Sequence, residues 1–141
     1  MLGNLYEDKE KSEQAYRLAA RGEFNLSSAM YYNDQPPQMM YYSAKAIEAL
    51  GDKDEAKKRF NAFIEYANKH MNDEMKIDYF AVSLPDFLIF EGDLNKNNKV
   101  HCNLMAALGY LGIGDNDNAQ KYAKQGLELN QCHAELRDIV K

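Results

Sequence analysis

Two short strings in this chain share one grammar. "EALGDKDEA" (Glu48–Ala56) and "GYLGIGDNDNA" (Gly109–Ala119) each run an apolar helical pattern into a Gly, follow it at once with an Asp, and restart a helical pattern. Glycine takes the left-handed conformation that closes a helix C-terminus, and aspartate is among the best N-caps. Glu55, three residues after Asp52, completes the signature of a capping box. A stop and restart within so few residues leaves room only for two antiparallel helices joined by a tight turn. Its double occurrence points to an all-α chain of helical hairpins.

The stripes on either side agree. Met40, Ala44, Ile47 and Leu50 precede the first turn, and Ala56, Phe60, Phe63, Ile64 and Ala67 follow it at helical spacing. Val100, Leu104, Ala107, Leu108 and Leu111 precede the second, and Ala119, Tyr122, Ala123, Gly126 and Leu127 follow it. The expected hairpins are 37–70, opened by Pro36-Pro37, and 94–130. Upstream, Ser12–Arg21 reads as a helix with Ala15, Leu18 and Ala19 inward and Gly22 as its stop, and "GEFNLSSAMYYNDQPPQ" (Gly22–Gln38) reads as a loop or broken helix. A capping helix is expected over 133–141, with Ile139 and Val140 inward. That makes six or seven helices in a single domain spanning 1–141.

Between the hairpins, "KIDYFAVSLPDFLIFEGDL" (Lys76–Leu94) is dense in apolar residues and broken by Pro85. The expected reading is an insert over 76–93, with short helices near Tyr79–Val82 and Pro85–Phe90 that plug between the hairpins, and with Asp93 capping the helix that follows.

The hairpins resemble the tetratricopeptide repeat. Ala44, Gly51, Ala56 and Phe60 in the first, and Ala107, Tyr110, Gly114, Ala119, Gly126 and Leu127 in the second, fall where that motif places small and aromatic residues. The chain departs from the motif at Met40 and Asn103 in the Trp-like position, at Phe63 in place of the late Ala, and at Asn68 and Gln131 in place of the closing Pro. Gly51 and Gly114 also stand almost two repeat lengths apart, against about 34 residues for contiguous repeats. Over roughly Gln38–His133, the blocks "KIDYFAVSLPD", the acidic Glu91–Asp93, His101-Cys102 and Leu108–Asp115 resemble the C-terminal region of a family of large bacterial proteins. Those proteins carry tetratricopeptide repeats downstream of a β-rich, mutarotase-like region. The resemblance implies a C-terminal piece of a larger protein, either a protein-binding scaffold or an auxiliary helical domain of a carbohydrate-active protein. It transfers no catalytic role.

Composition excludes several classes. Of 141 residues, 45% are hydrophobic and 28% charged, enough apolar content for one folded core. A formal net charge of −5 argues against nucleic acid or an anionic membrane as partner. No basic start followed by an apolar run marks a signal peptide, so a cytoplasmic location is expected.

Chemistry-bearing residues are few. His101 and Cys102 open one helix of the second hairpin, and Cys132 and His133 follow the other, so an antiparallel pair brings all four to one pole. Free thiols are the leading reading. The alternatives are a tetrahedral zinc site, for which adjacent helical residues diverge by about 100°, and a Cys102–Cys132 disulfide, which needs an oxidising compartment. Asp78, Asp86, Glu91 and Asp93 bring carboxylates close in sequence, with helix capping as the simpler role. No Ser-His-Asp arrangement, phosphate loop or HExxH pattern occurs, so no enzyme and no cofactor is expected.

The tyrosines are the better binding signal. Tyr31, Tyr32, Tyr41 and Tyr42 come as two adjacent pairs, and only one of each pair can face the core of a regular helix. Tyrosine offers contact area at low entropic cost, which suits recognition. The expected groove is formed by Tyr31, Tyr32, Tyr41, Tyr42 and Lys45, together with Asp78, Tyr79 and Asp86 of the insert. Its expected partner is a protein or peptide, another domain of the parent chain, or a second copy.

Overall fold

A computed structural model describes residues 3, 8–28, 36–75 and 87–140, with the backbone alone over 87–93. Among the described residues the secondary structure is helical: α1 (Lys9–Ala20), α2 (Pro37–Ala49), α3 (Lys53–His70), α4 (Phe87–Ile113), α5 (Asn116–Leu129) and α6 (Ala134–Ile139). The fold is all-α and built on hairpins, α2 with α3 and α4 with α5, with α3 and α5 both packed on α4.

Each turn closes the same way. Gly51 (φ 100°) and Gly114 (φ 86°) take the left-handed conformation. The next amide bonds back across the turn, Asp52 N to Ile47 O at 3.2 Å and Asp115 N to Tyr110 O at 2.9 Å, while each glycine N–H bonds two residues closer. This is the six-to-one closure that satisfies the last carbonyls of a helix. Asp52 Oδ1 then accepts from Glu55 N and Asp115 Oδ1 from Asn118 N, each at 3.1 Å. The expected capping box is only half formed. The Asp52 amide is taken by Ile47, so the Glu55 carboxylate turns to Arg59 Nε at 3.0 Å.

The core lies around α4. Cys102, Leu104, Met105, Ala106, Ala107 and Leu108 are all buried, and so is Asn103. A helix segment buried on every side has neighbours on every side, and over 102–109 the one-faced stripe expected here is instead a central rod. α3 meets α4 through a step in side-chain size. A Cβ on Gly112 would stand 2.2 Å from the Phe60 ring, and one on Gly109 would stand 2.7 Å from the Phe60 carbonyl oxygen. The two glycines let the α3 and α4 backbones approach closely, with the buried Phe60 ring seated against the bare α4 surface.

Three expectations change. α4 runs without interruption from Phe87 to Ile113, so the second insert piece is the start of the hairpin helix, and Asp93 lies inside a helix instead of capping one. No proline interrupts that stretch, and an internal Gly92 costs only about 1 kcal/mol. Its polar run is tied to the preceding turn: Asn95 Oδ1 accepts from Met75 N at 2.7 Å, and Asn98 Nδ2 donates to His70 O at 2.8 Å. The remainder of the expected insert, 76–86, lies outside the described residues. Second, Leu18 of α1 is 69% exposed and Ala19 is exposed, because among the described helices α1 packs against α2 alone and buries none of its residues fully. Third, Leu50 sits exposed at the turn.

The irregular segment 23–28 lies across the bundle. The Phe24 ring meets Phe63 edge-on at 5.5 Å and lies 5.1 Å from the Arg59 guanidinium, and Ser27 O accepts from His101 Nε2 at 2.9 Å. Burial pulls the His101 imidazole below its ordinary value of 6.5, and nearby His133 adds to this, while the bond to Ser27 opposes it. The unfolded chain therefore binds this proton more readily than the folded one. Stability is expected to be fully held above pH 6.5 and to decline as pH falls below it toward the depressed folded value. Denaturant midpoints compared at neutral and mildly acid pH should fall less for His101→Gln than for the wild type.

Candidate binding groove

α2, α4, α5 and α6 enclose an open groove of about 810 Å³. One wall is α2, with Gln38, Tyr41 and Tyr42, and the apolar floor is Leu108 and Leu111 of α4 with Ile139 of α6. The opposite side is charged. α5 offers Asn116, Asp117, Gln120, Lys121 and Lys124, and α6 offers Glu135 and Asp138.

Local structure positions each part. Pro37 at the first turn starts α2 without an unmet amide, and the helix then places Tyr41 and Tyr42 on diverging directions. Tyr41 turns inward, 5.5 Å from the Tyr42 ring and 5.7 Å from Phe60. Burial, with Tyr42 and Glu48 nearby, pushes its hydroxyl up to about 12. Tyr42 stays 49% exposed on the groove rim. Gln38 Oε1 is buried in the wall without a hydrogen-bond partner among the described residues. α6 is held antiparallel to α5 by Gln120 Nε2, which donates to Ile139 O at 2.6 Å, and by Leu136, which closes on Gly126. A Cβ on Gly126 would stand 2.5 Å from the Leu136 side chain.

The structure separates the residues singled out from the sequence. Tyr41 and Tyr42 line the groove together. Lys45 does not: it pairs with Glu48 and lies 5.9 Å from the Phe60 ring. Tyr31, Tyr32, Asp78, Tyr79 and Asp86 lie outside the described residues. The α5 and α6 charges were missed because, in sequence, they read as ordinary solvated helix faces. The one available signal was their spacing: Lys121 and Lys124 lie three residues apart, as do Glu135 and Asp138, which puts each pair on one face.

At the pole of the bundle, His101 and Tyr66 stand 6.2 Å apart and Tyr66 and His70 4.4 Å, with His70 Nδ1 2.6 Å from Asp73 Oδ2. The zinc alternative fails there. Among the described residues no three His, Cys, Asp or Glu side chains converge to hold a metal. Cys102 is buried against Asn98 Oδ1 at 3.8 Å, its thiol pushed up to about 12 chiefly by burial, whereas Cys132 is exposed. His133 Nδ1 lies 3.1 Å from Glu135 Oε2 without the alignment of a hydrogen bond. Both thiols are free, so the disulfide alternative also fails.

Compared with known proteins, the chain matches no family model and no solved structure. Among the described residues no helix is long and apolar enough to cross a membrane. α4 has the length, but Asn95–Lys99 breaks its apolar character.

Proposed function

We propose that this is a tetratricopeptide-like interaction domain that binds a protein or peptide, or another domain of its parent chain, in the groove between α2, α5 and α6. The observation that carries the reading is the division of labour in the tyrosine pair. Tyr41 anchors α2 to the core, while its neighbour Tyr42 is left half-exposed on the rim of an open, apolar-floored groove. A half-exposed aromatic beside an apolar floor supplies contact area at little ordering cost, and the preformed helices leave most of that cost to the partner.

The two tyrosines separate function from folding. Tyr42→Ala is expected to leave the melting temperature almost unchanged and to weaken partner binding by about tenfold or more. Tyr41→Ala should cost about 2 kcal/mol of stability, since it empties a partly buried aromatic site. The check is affinity capture from source-cell extract on the immobilised wild type and on Tyr42→Ala, with thermal melts of both variants. Proteins held equally well by wild type and Tyr42→Ala would remove the groove from the account.

A further inference from the structure

The charges of the groove are sorted by helix. Lys121 and Lys124 stand on α5, while Glu135 and Asp138 stand on α6. The bond from Gln120 to Ile139 and the packing of Leu136 on Gly126 show that these helices run side by side in opposite directions. The charged side of the groove therefore carries a basic row on α5 beside an antiparallel acidic row on α6, with Asp117 one turn earlier on α5 marking where the basic row stops. Among the described residues Lys121, Lys124 and Asp138 take part in no ion pair, and Glu135 faces only His133.

No ligand of one sign fits this surface. An acidic peptide that satisfied the lysines would meet Glu135 and Asp138, and a basic one would meet the lysines. The matching surface carries the same two rows exchanged. A two-fold axis lying over the seam between α5 and α6, parallel to both helices, makes that exchange, setting the basic row of one copy against the acidic row of the other. Such self-complementary contacts are the commonest way that soluble chains pair, and opposed rows fix orientation as well as attraction. Met39, 55% exposed, and Tyr42, 49% exposed, stand three residues apart on α2 and supply apolar area beside the rows.

We propose that the charged α5–α6 side of the groove is covered by the same side of a second copy of this chain, paired about such an axis so that Lys121 and Lys124 of each copy meet Glu135 and Asp138 of the other. This rests on the groove being an interaction surface and names its occupant. The net charge of −5 opposes chance encounters between copies, so the pairing depends on these local rows.

Charge exchange tests it. Sedimentation equilibrium of the full chain over a wide concentration range should show a monomer–dimer equilibrium. Lys121→Glu with Lys124→Glu, and separately Glu135→Lys with Asp138→Lys, should each weaken self-association about a hundredfold or more. Mixing the two variants in equal amounts should restore a heterodimer of near wild-type affinity, a recovery that misfolded variants cannot give. Wild type that stays monomeric at its highest soluble concentration, or a dimer indifferent to both double variants, would overturn the pairing. Either result leaves the groove reading to stand or fall on Tyr42→Ala, so the two failures are distinguishable.

Discussion

Phe60→Ala is expected to destabilise the domain by about 3–5 kcal/mol, because a ring with almost no solvent exposure is removed from a site walled by the bare glycine surface of α4 and by Tyr41 and Ala44 of α2. Domains of this size are held by about 5–15 kcal/mol in all, so the loss takes a large part of the margin. The reverse insult, Gly112→Ala, should cost about 1–3 kcal/mol through overpacking, since the new methyl would stand 2.2 Å from the same ring. Combining them is the sharper experiment. With the ring gone the methyl has space, so the double variant should cost less than the sum of the singles. Urea denaturation of all four proteins checks this, and strict additivity would show that Phe60 and Gly112 do not bear on each other.

Leu136→Ala is the second large effect. Leu136 is fully buried, closes on Gly126, and with Ile139 forms the buried side of a six-residue helix far too short to persist alone. The expected loss is about 2–5 kcal/mol. It should appear first as local release of α6, with hydrogen-exchange protection falling over 134–140 while α3 and α4 remain protected. Since α6 contributes Ile139, Glu135 and Asp138 to the groove, binding should fail under conditions where the core is still folded. Uniform loss of protection across all helices would instead show that α6 is an inseparable part of the core.

What the sequence reveals and what it hides follow from the range of the interactions. The turns at Gly51 and Gly114 were legible because both halves of the signal, a left-handed residue and a capping carboxylate, are local and adjacent. The inward stripe of α3 was legible for a similar reason, as its buried residues Ala56, Phe60, Phe63 and Ala67 recur at helical spacing along one side. α4 was harder: burial on all sides over 102–109 erases the periodicity that reveals a face, so its outline looked like a stripe plus a separate apolar insert. The asparagines at 95 and 98 gave no sign of their partners, because their amides are spent on the turn after α3, a tertiary contact that no local pattern encodes. Gly109 and Gly112 were visible as letters, but only Phe60 across the interface explains them. In the groove, Tyr41 and Tyr42 stood out through their chemistry, whereas the lysines and acids of α5 and α6 matter only because Gln120 and Leu136 bring two helices together.

The central position of α4 carries a kinetic consequence. Its two main partners, α3 and α5, are its neighbours in chain order, so the core assembles from contacts of short sequence separation. Little chain has to be looped out before the first stabilising contact forms, and such topologies fold in about microseconds to milliseconds. A stopped-flow refolding trace should therefore be complete within its earliest readings, and α4 pairing with either neighbour would serve as the nucleus on which the rest condenses.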